Sequence, residues 1–247
     1  MYKQLLFVMA CLCMLPLCAM QETKKQLIVG TNAEFYPFTF IENDTIQGFD
    51  IDVAKEVCKR LGKEMVLKDM PFDALIQTLT LGDVQFVAAG MSYTEERAKR
   101  VLFTKPYITE DPLVILTQKG KEMSLDTLKD KTIAVNDGYV ADILMTQKQK
   151  QNANFELLRL PAPQDAFLAL KTKRADAFVT AKSTLEPFLA KQKEQNFSFY
   201  LIENSSQDCC LVISKKYSEL QPEIQKALDE MISDGTMAAL KAKWKMI

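Results

Sequence analysis

The sequence contains no histidine. That absence removes the commonest general base, the commonest transition-metal ligand and every catalytic triad built on imidazole. Glycine is scarce, with eight in 247 residues, and none belongs to a phosphate-cradling loop motif. No Cys-x-x-Cys pair occurs; Cys11, Cys13 and Cys18 lie in the first 20 residues, which leaves Cys58, Cys209 and Cys210 for the rest. Three cysteines make no disulfide framework. The adjacent pair Cys209 and Cys210 could bridge only with strained geometry, so it reads as small apolar filling at a strand. An excess of one charge is missing as well: 31 Lys and Arg face 32 Asp and Glu, for a net charge of -1. Nucleic acid is therefore excluded as an expected partner, and no metal or cofactor is expected.

Long apolar runs are confined to the start. Lys3 precedes a run from Leu5 to Leu17, too short to span a bilayer comfortably, and polar sequence begins at Gln21. Residues 1–20 therefore read as a secretory signal, so the chain is expected to work outside the cytoplasm. Cys11 and Cys18 are both candidates for lipidation, and only Cys11 follows a small residue, Ala10.

What is present is ample material for a core: 48% of the residues are hydrophobic and 26% charged. Leu27 to Thr31 reads as a strand, and Phe38, Phe40 and Ile46 flank a turn at Asn43-Asp44. Ile51, Ala54, Val57, Cys58 and Leu61 recur at helical spacing up to Gly62. Strand-like Met65 to Lys68, a helix from Pro71 to Gly82 and the apolar strand Phe86 to Ala89 follow. The alternation restarts with strands at Leu113 to Thr117, Thr132 to Val135, Phe155 to Leu160 and Asp176 to Val179, and helices at Val140 to Gln147 and Ala166 to Thr172. This predicts a second α/β unit. The Pro-containing connector Lys105 to Pro112 and a return through Ile202 to Asp208 suggest two hinge crossings, and Pro222 to Ile247 supplies two helical stretches split at Asp234-Gly235.

At Gly90-Met91-Ser92-Tyr93-Thr94-Glu95-Glu96-Arg97 a buried strand gives way to a helix, with Ser92 and Glu95 spaced as a capping box. Free N–H groups at the helix start and a guanidinium at Arg97 would together favour a carboxylate.

This segment, with Val29-Gly30-Thr31-Asn32-Ala33-Glu34-Phe35-Tyr36-Pro37-Phe38 and Gly48-Phe49-Asp50-Ile51-Asp52, resembles the periplasmic polar-amino-acid-binding proteins of ABC transporters. The similarity continues through Thr132 to Gly138, Arg174-Ala175-Asp176-Ala177 and the Gly235 to Trp244 ending. It implies a two-lobed α/β fold of the type II periplasmic-binding-protein kind. Residues 21–108 and 208–247 would form one lobe, 112–204 the other, and 109–111 and 205–207 the hinge.

The resemblance implies that Arg97 binds a ligand α-carboxylate, that Gly90 and Ser92 in the Gly90-Met91-Ser92 run contact its main-chain part, and that Phe35 and Phe72 sandwich its side chain. Read without it, both phenylalanines are ordinary core residues. Two positions depart from the family: Asn32 stands where many relatives have an aspartate, with Glu34 two residues on, and Ala181 stands where an aspartate commonly pairs with the ligand ammonium. A buried ammonium without a counter-charge is costly, so another acid is expected. Asp137, in the turn leading to Val140, and Asp208, near the return crossing, are the candidates, with Thr180 as a weaker acceptor.

A carboxylate at Glu34 beside two aromatics suits a planar cation, which favours free arginine over glutamine, lysine or ornithine. A membrane permease is the implied protein partner. The competing classes are an exported cyclohexadienyl-dehydratase-type enzyme on the same fold, which would need a poised acid or base, and a sensor module.

Overall fold

The computed structural model describes residues 26–151, 154–192 and 196–246. The expected export signal at residues 1–20, with Cys11 and Cys18, lies outside the described residues.

Two five-stranded sheets carry two lobes. In the first, strand Gln26–Thr31 runs parallel to Glu64–Asp69 on one side and to Phe86–Val87 on the other. Parallel neighbours require a crossover, and helices Phe49–Arg60 and Leu75–Leu81 provide it. The first helix buries Ile51, Val53, Ala54, Val57 and Cys58, the face that the apolar spacing marked. Gly82, with φ 79°, ends the second helix in the left-handed conformation that closes a helix without a Cβ clash. Val212–Ile213 and Leu102–Phe103 complete this sheet in antiparallel pairing.

The second sheet orders Glu156–Leu160, Thr132–Asn136, Ala177–Ala181, Leu113–Gln118 and Phe197–Leu201. Its first three strands are parallel, with helices Val140–Lys150 and Pro163–Lys171 between them, and the last two are antiparallel. Helix Lys182–Gln192 and edge strand Phe197–Leu201 are additions to the elements expected from sequence. The helix contains Pro187, which masks it in a propensity reading.

The chain crosses between the sheets at Ile108–Asp111 and Gln207–Cys209, which pair antiparallel with Gln207 opposite Asp111. This short ladder is irregular. Glu110 has φ 56°, left-handed for a residue with a Cβ, and its N–H donates to the Asp208 carboxylate at 3.2 Å. An irregularity of this kind re-aims the neighbouring side chain, and that neighbour is Asp111.

Helices Leu220–Ser233 and Thr236–Trp244 close the first lobe. Asp52 ties the last of them to the first helix by accepting from Lys243 Nζ at 2.6 Å and Trp244 Nε1 at 2.8 Å. Cys58, Cys209 and Cys210 are buried free thiols, in keeping with apolar filling.

Candidate functional site

The space between the lobes is a cavity walled by first-lobe segments outside that lobe's five-stranded sheet (Phe35, Phe72, Gly90, Arg97), by strands of the second sheet and by the crossing strands. Arg97 stands on the first-lobe side. Its guanidinium donates to the Ser92 carbonyl at 2.6 Å and, across the cleft, to the Gly138 carbonyl at 2.9 Å, and it lies 5.5 Å from the centre of the Phe72 ring. Burial brings its pKa down to about 10, so it stays cationic at neutral pH. Two carbonyls do not exhaust the five N–H donors of an arginine, and donors remain for an anion.

The capping box expected at Ser92 and Glu95 does not form. Thr94 has the extended backbone of an N-cap, and its hydroxyl accepts from the Arg97 N–H at 3.1 Å, opening a helix of four residues, Glu95–Ala98. Ser92 is held elsewhere: its backbone bridges to Cys209 and its hydroxyl donates to Gln207 Oε1 at 2.8 Å. The cavity instead receives the start of the longer helix Val140–Lys150, whose first residues Val140 and Ala141 line it. The first-turn N–H groups of a helix have no intrahelical partner, so Arg97 and this helix end together make an anion site.

Gly90 is required by what lies beside it. Its φ is 59°, and a Cβ there would sit 2.5 Å from Phe35 Cε1. Its N–H is spent on Asp50 Oδ2 at 2.6 Å, and its carbonyl accepts from the Cys209 thiol at 3.7 Å. Phe35 stacks flat on Phe38 with ring centroids 5.0 Å apart. Tyr139, from the second lobe, stacks on Phe72 at 4.1 Å and meets Phe35 edge-on at 5.2 Å. The two phenylalanines thus form a slot with an aromatic ring already in it.

Beyond Phe72 a second chamber opens, bordered by Glu34, Asp73, Asp137 and Arg159. Arg159 is engaged by Asp142 at 3.0 Å. Three carboxylates therefore border this chamber, which shares Phe72 with the inner cavity.

Among the residues singled out from sequence, Phe35, Phe72, Gly90, Ser92, Arg97, Val140 and Thr180 line the inner cavity, as does Ala181. Glu34 and Asp137 border the outer chamber. Three line neither space. Asn32 is buried, its amide N–H donating to the Met70 carbonyl at 3.2 Å and its Oδ1 accepting from the second-lobe Tyr139 hydroxyl at 3.4 Å; the Met91 side chain packs into the core with Leu75 and Leu79, and Asp208 binds the Glu110 N–H. Sequence reasoning missed Asp111, Ser183 and Gln207, which all line the inner cavity. Each lies in or beside a crossing strand, where spacing carries no signal of which way a side chain faces.

Two sheet-based lobes joined by paired crossings enclose a cleft that combines a buried guanidinium, a helix start and an aromatic slot, the layout of a small-molecule binding site. The chain belongs to the bacterial extracellular solute-binding proteins, family 3, which it matches over residues 27–246. It is similar to the arginine-binding extracellular protein ArtP of Bacillus subtilis, at 32% identity over 225 residues, covering 90% of this chain and 86% of the relative. A probable histidine-binding protein of Campylobacter jejuni is 31% identical over 229 residues, covering 91% and 86%. Among solved structures, an ancestral arginine-binding protein bound to arginine superposes with a TM-score of 0.84 at 35% identity, covering 90% of this chain and 99% of that one.

Proposed function

We propose that this protein is the substrate-binding component of an amino-acid ABC uptake system, closing on free L-arginine outside the cytoplasm and delivering it unchanged to a membrane permease. The observation that carries the reading is the polarity of the cleft. Arg97, Phe35 and the start of Val140–Lys150 line the inner cavity, Phe72 lines both spaces, and Glu34, Asp73 and Asp137 border the outer one. A ligand with a carboxylate, a flat stacking side chain and a terminal cation fits that order, and a guanidinium satisfies both stacking and fork-like pairing with carboxylates. Relatives named for arginine support the same choice.

Binding without chemistry is favoured by the state of the groups present. Burial pushes the Tyr139 phenol and the Cys209 thiol up, so neither ionises near neutral pH. In this reading, lobes 21–108 with 208–247 and 112–204 rotate about 109–111 and 205–207, and ligand touching both stabilises only the closed state. The test is thermal unfolding of refolded, ligand-stripped protein against a panel of amino acids. Arginine at 100 times its dissociation constant is expected to add about 2.7 kcal/mol of stability. Equal shifts with arginine and glutamine would overturn the arginine assignment; no shift with any amino acid would overturn the function.

A further inference from the structure

Resting on the amino-acid-binding reading, we infer that Asp111 is the counter-charge for the ligand α-ammonium in this protein. Among the described residues that line the inner cavity, Arg97 and Asp111 are the two that carry charge, one of each sign. An amino acid's α-carbon carries the same two charges, and an ammonium enclosed without a carboxylate is strongly disfavoured.

The strand register shows how the acid reaches this point. Ala181 pairs with Leu113 across the second sheet, and both line the cavity. Asp111 lies two residues before Leu113 and Ser183 two after Ala181, so the pair stands one step further along the same ladder. Their contacts agree: Ser183 N–H donates to Asp111 Oδ1 at 3.0 Å and Ser183 Oγ to Oδ2 at 2.5 Å. The left-handed Glu110 immediately before it, and the irregular crossing ladder, aim the carboxylate into the cleft. The end of strand Ala177–Ala181 offers no charge, and the opposite strand supplies one beside it.

The carboxylate is fixed before any ligand arrives. The Gln207 side chain also bonds to it, and the same Gln207 accepts from the Ser92 hydroxyl. A hydrogen-bonded chain therefore runs from Ser92 in the first lobe through both crossing strands to Ser183 in the second. Ser183 and Gln207 use three of the roughly four lone-pair positions of a carboxylate, and one is left for an ammonium. Asp137 and Asp208, the acids expected from sequence, border the outer chamber and the Glu110 N–H respectively.

The bland alternative is that Asp111 only anchors the start of helix Lys182–Gln192 through Ser183. Titration calorimetry with L-arginine and with its des-amino analogue, 5-guanidinopentanoate, separates the two. The unmodified protein is expected to bind arginine at least ~100-fold more tightly than the analogue, and Asp111→Asn to lose ~100-fold or more for arginine while holding the analogue within ~3-fold. Equal loss for both ligands, or for neither, would overturn the assignment in favour of the anchoring role. Arginine and analogue binding equally to the unmodified protein would overturn it too, and leave the amino-acid function standing. Failure of the unmodified protein to bind any amino acid would remove both. Should Asp111→Asn not fold, a crystal structure of the unmodified arginine complex decides: Nα within hydrogen-bond distance of Asp111 is the expected result, and Nα beyond that reach refutes it.

Discussion

Tyr139 lies on the face of Phe72, ring centroids 4.1 Å apart and planes at 29°, so a second-lobe side chain occupies the slot between Phe72 and Phe35. The two lobes are held against each other here by aromatic contact and by the bond from Arg97 to the Gly138 carbonyl. A flat ligand side chain entering the slot must displace the Tyr139 ring. Aromatic pairs of this kind contribute about 0.5–1.5 kcal/mol beyond their burial. Tyr139→Ser is therefore expected to tighten arginine binding by up to about tenfold. Calorimetry checks the sign: a tenfold weakening would mean that the ring helps to hold the ligand instead.

Arg97 and the start of Val140–Lys150 face the same space, and only the arginine can be removed without unmaking a helix. Charge-assisted hydrogen bonds contribute about 1.5–3 kcal/mol each, so losing a two-pronged clamp predicts at least ~100-fold weaker binding. Arg97→Ala should do this with little change in melting temperature. Arg97→Lys should recover little of it, because an ammonium cannot make the planar fork. Arginine affinity of Arg97→Ala within threefold of the unmodified protein would place the carboxylate elsewhere.

The outer chamber predicts a salt-sensitive contribution. Glu34, Asp73 and Asp137 are exposed, and single exposed pairs contribute only about 0.2–1 kcal/mol. Neutralising any one is expected to cost arginine a few-fold and citrulline, which lacks the terminal charge, nothing measurable. The triple change Glu34→Gln, Asp73→Asn, Asp137→Asn should cost arginine more than tenfold at low salt and less at high salt, as screening requires. Citrulline losing as much as arginine would show that the chamber acts through shape.

Much of the fold is legible in the sequence because its devices are local. Helical spacing at Ile51, Ala54, Val57 and Cys58 corresponds to the buried face of Phe49–Arg60, and Asn43-Asp44 forms the hairpin turn with φ of 51° and 57°. The site is legible only where a local pattern and a tertiary one coincide. Ser92 and Glu95 are spaced as a capping box, but Ser92 bridges to Cys209, 117 positions further on (209 − 92), and Thr94 caps the helix instead. Asp111 was hidden for the same reason. Its direction depends on the backbone twist at Glu110 and on a partner strand that returns far along the chain.

Asp50 predicts how stability depends on pH. It is fully buried, with Oδ2 accepting from Gly90 N–H at 2.6 Å and Tyr107 Oη at 2.8 Å, and burial outweighs both bonds to push its pKa from 3.8 up to about 7. Between those values the native state keeps a proton that the unfolded chain has lost. Stability is therefore full below about pH 4 and falls as pH rises towards 7, by about 4 kcal/mol at 1.36 kcal/mol per pH unit. Asp50→Asn should remove this fall. Urea midpoints of both proteins from pH 4.5 to 8 measure it, and parallel curves would show that Asp50 is ionised throughout.

Gly90 gives a prediction in which strain and clash can be separated. A Cβ there would meet Phe35 Cε1 at 2.5 Å and Cδ1 at 2.9 Å, and Phe35 is backed by Phe38 on its other side, so the ring can move only into the slot. Gly90→Ala is expected to cost about 1–3 kcal/mol from the left-handed backbone alone, and to weaken arginine binding by more than tenfold through the displaced ring. Gly235 is the control, with φ 83° and nothing within 4 Å of where a Cβ would stand. Gly235→Ala should lower the melting temperature by a similar amount while leaving arginine affinity unchanged, because it lies at the start of Thr236–Trp244, away from the cleft. If both variants bind arginine normally, Phe35 does not shape the slot, and the stacking part of the ligand assignment falls with it.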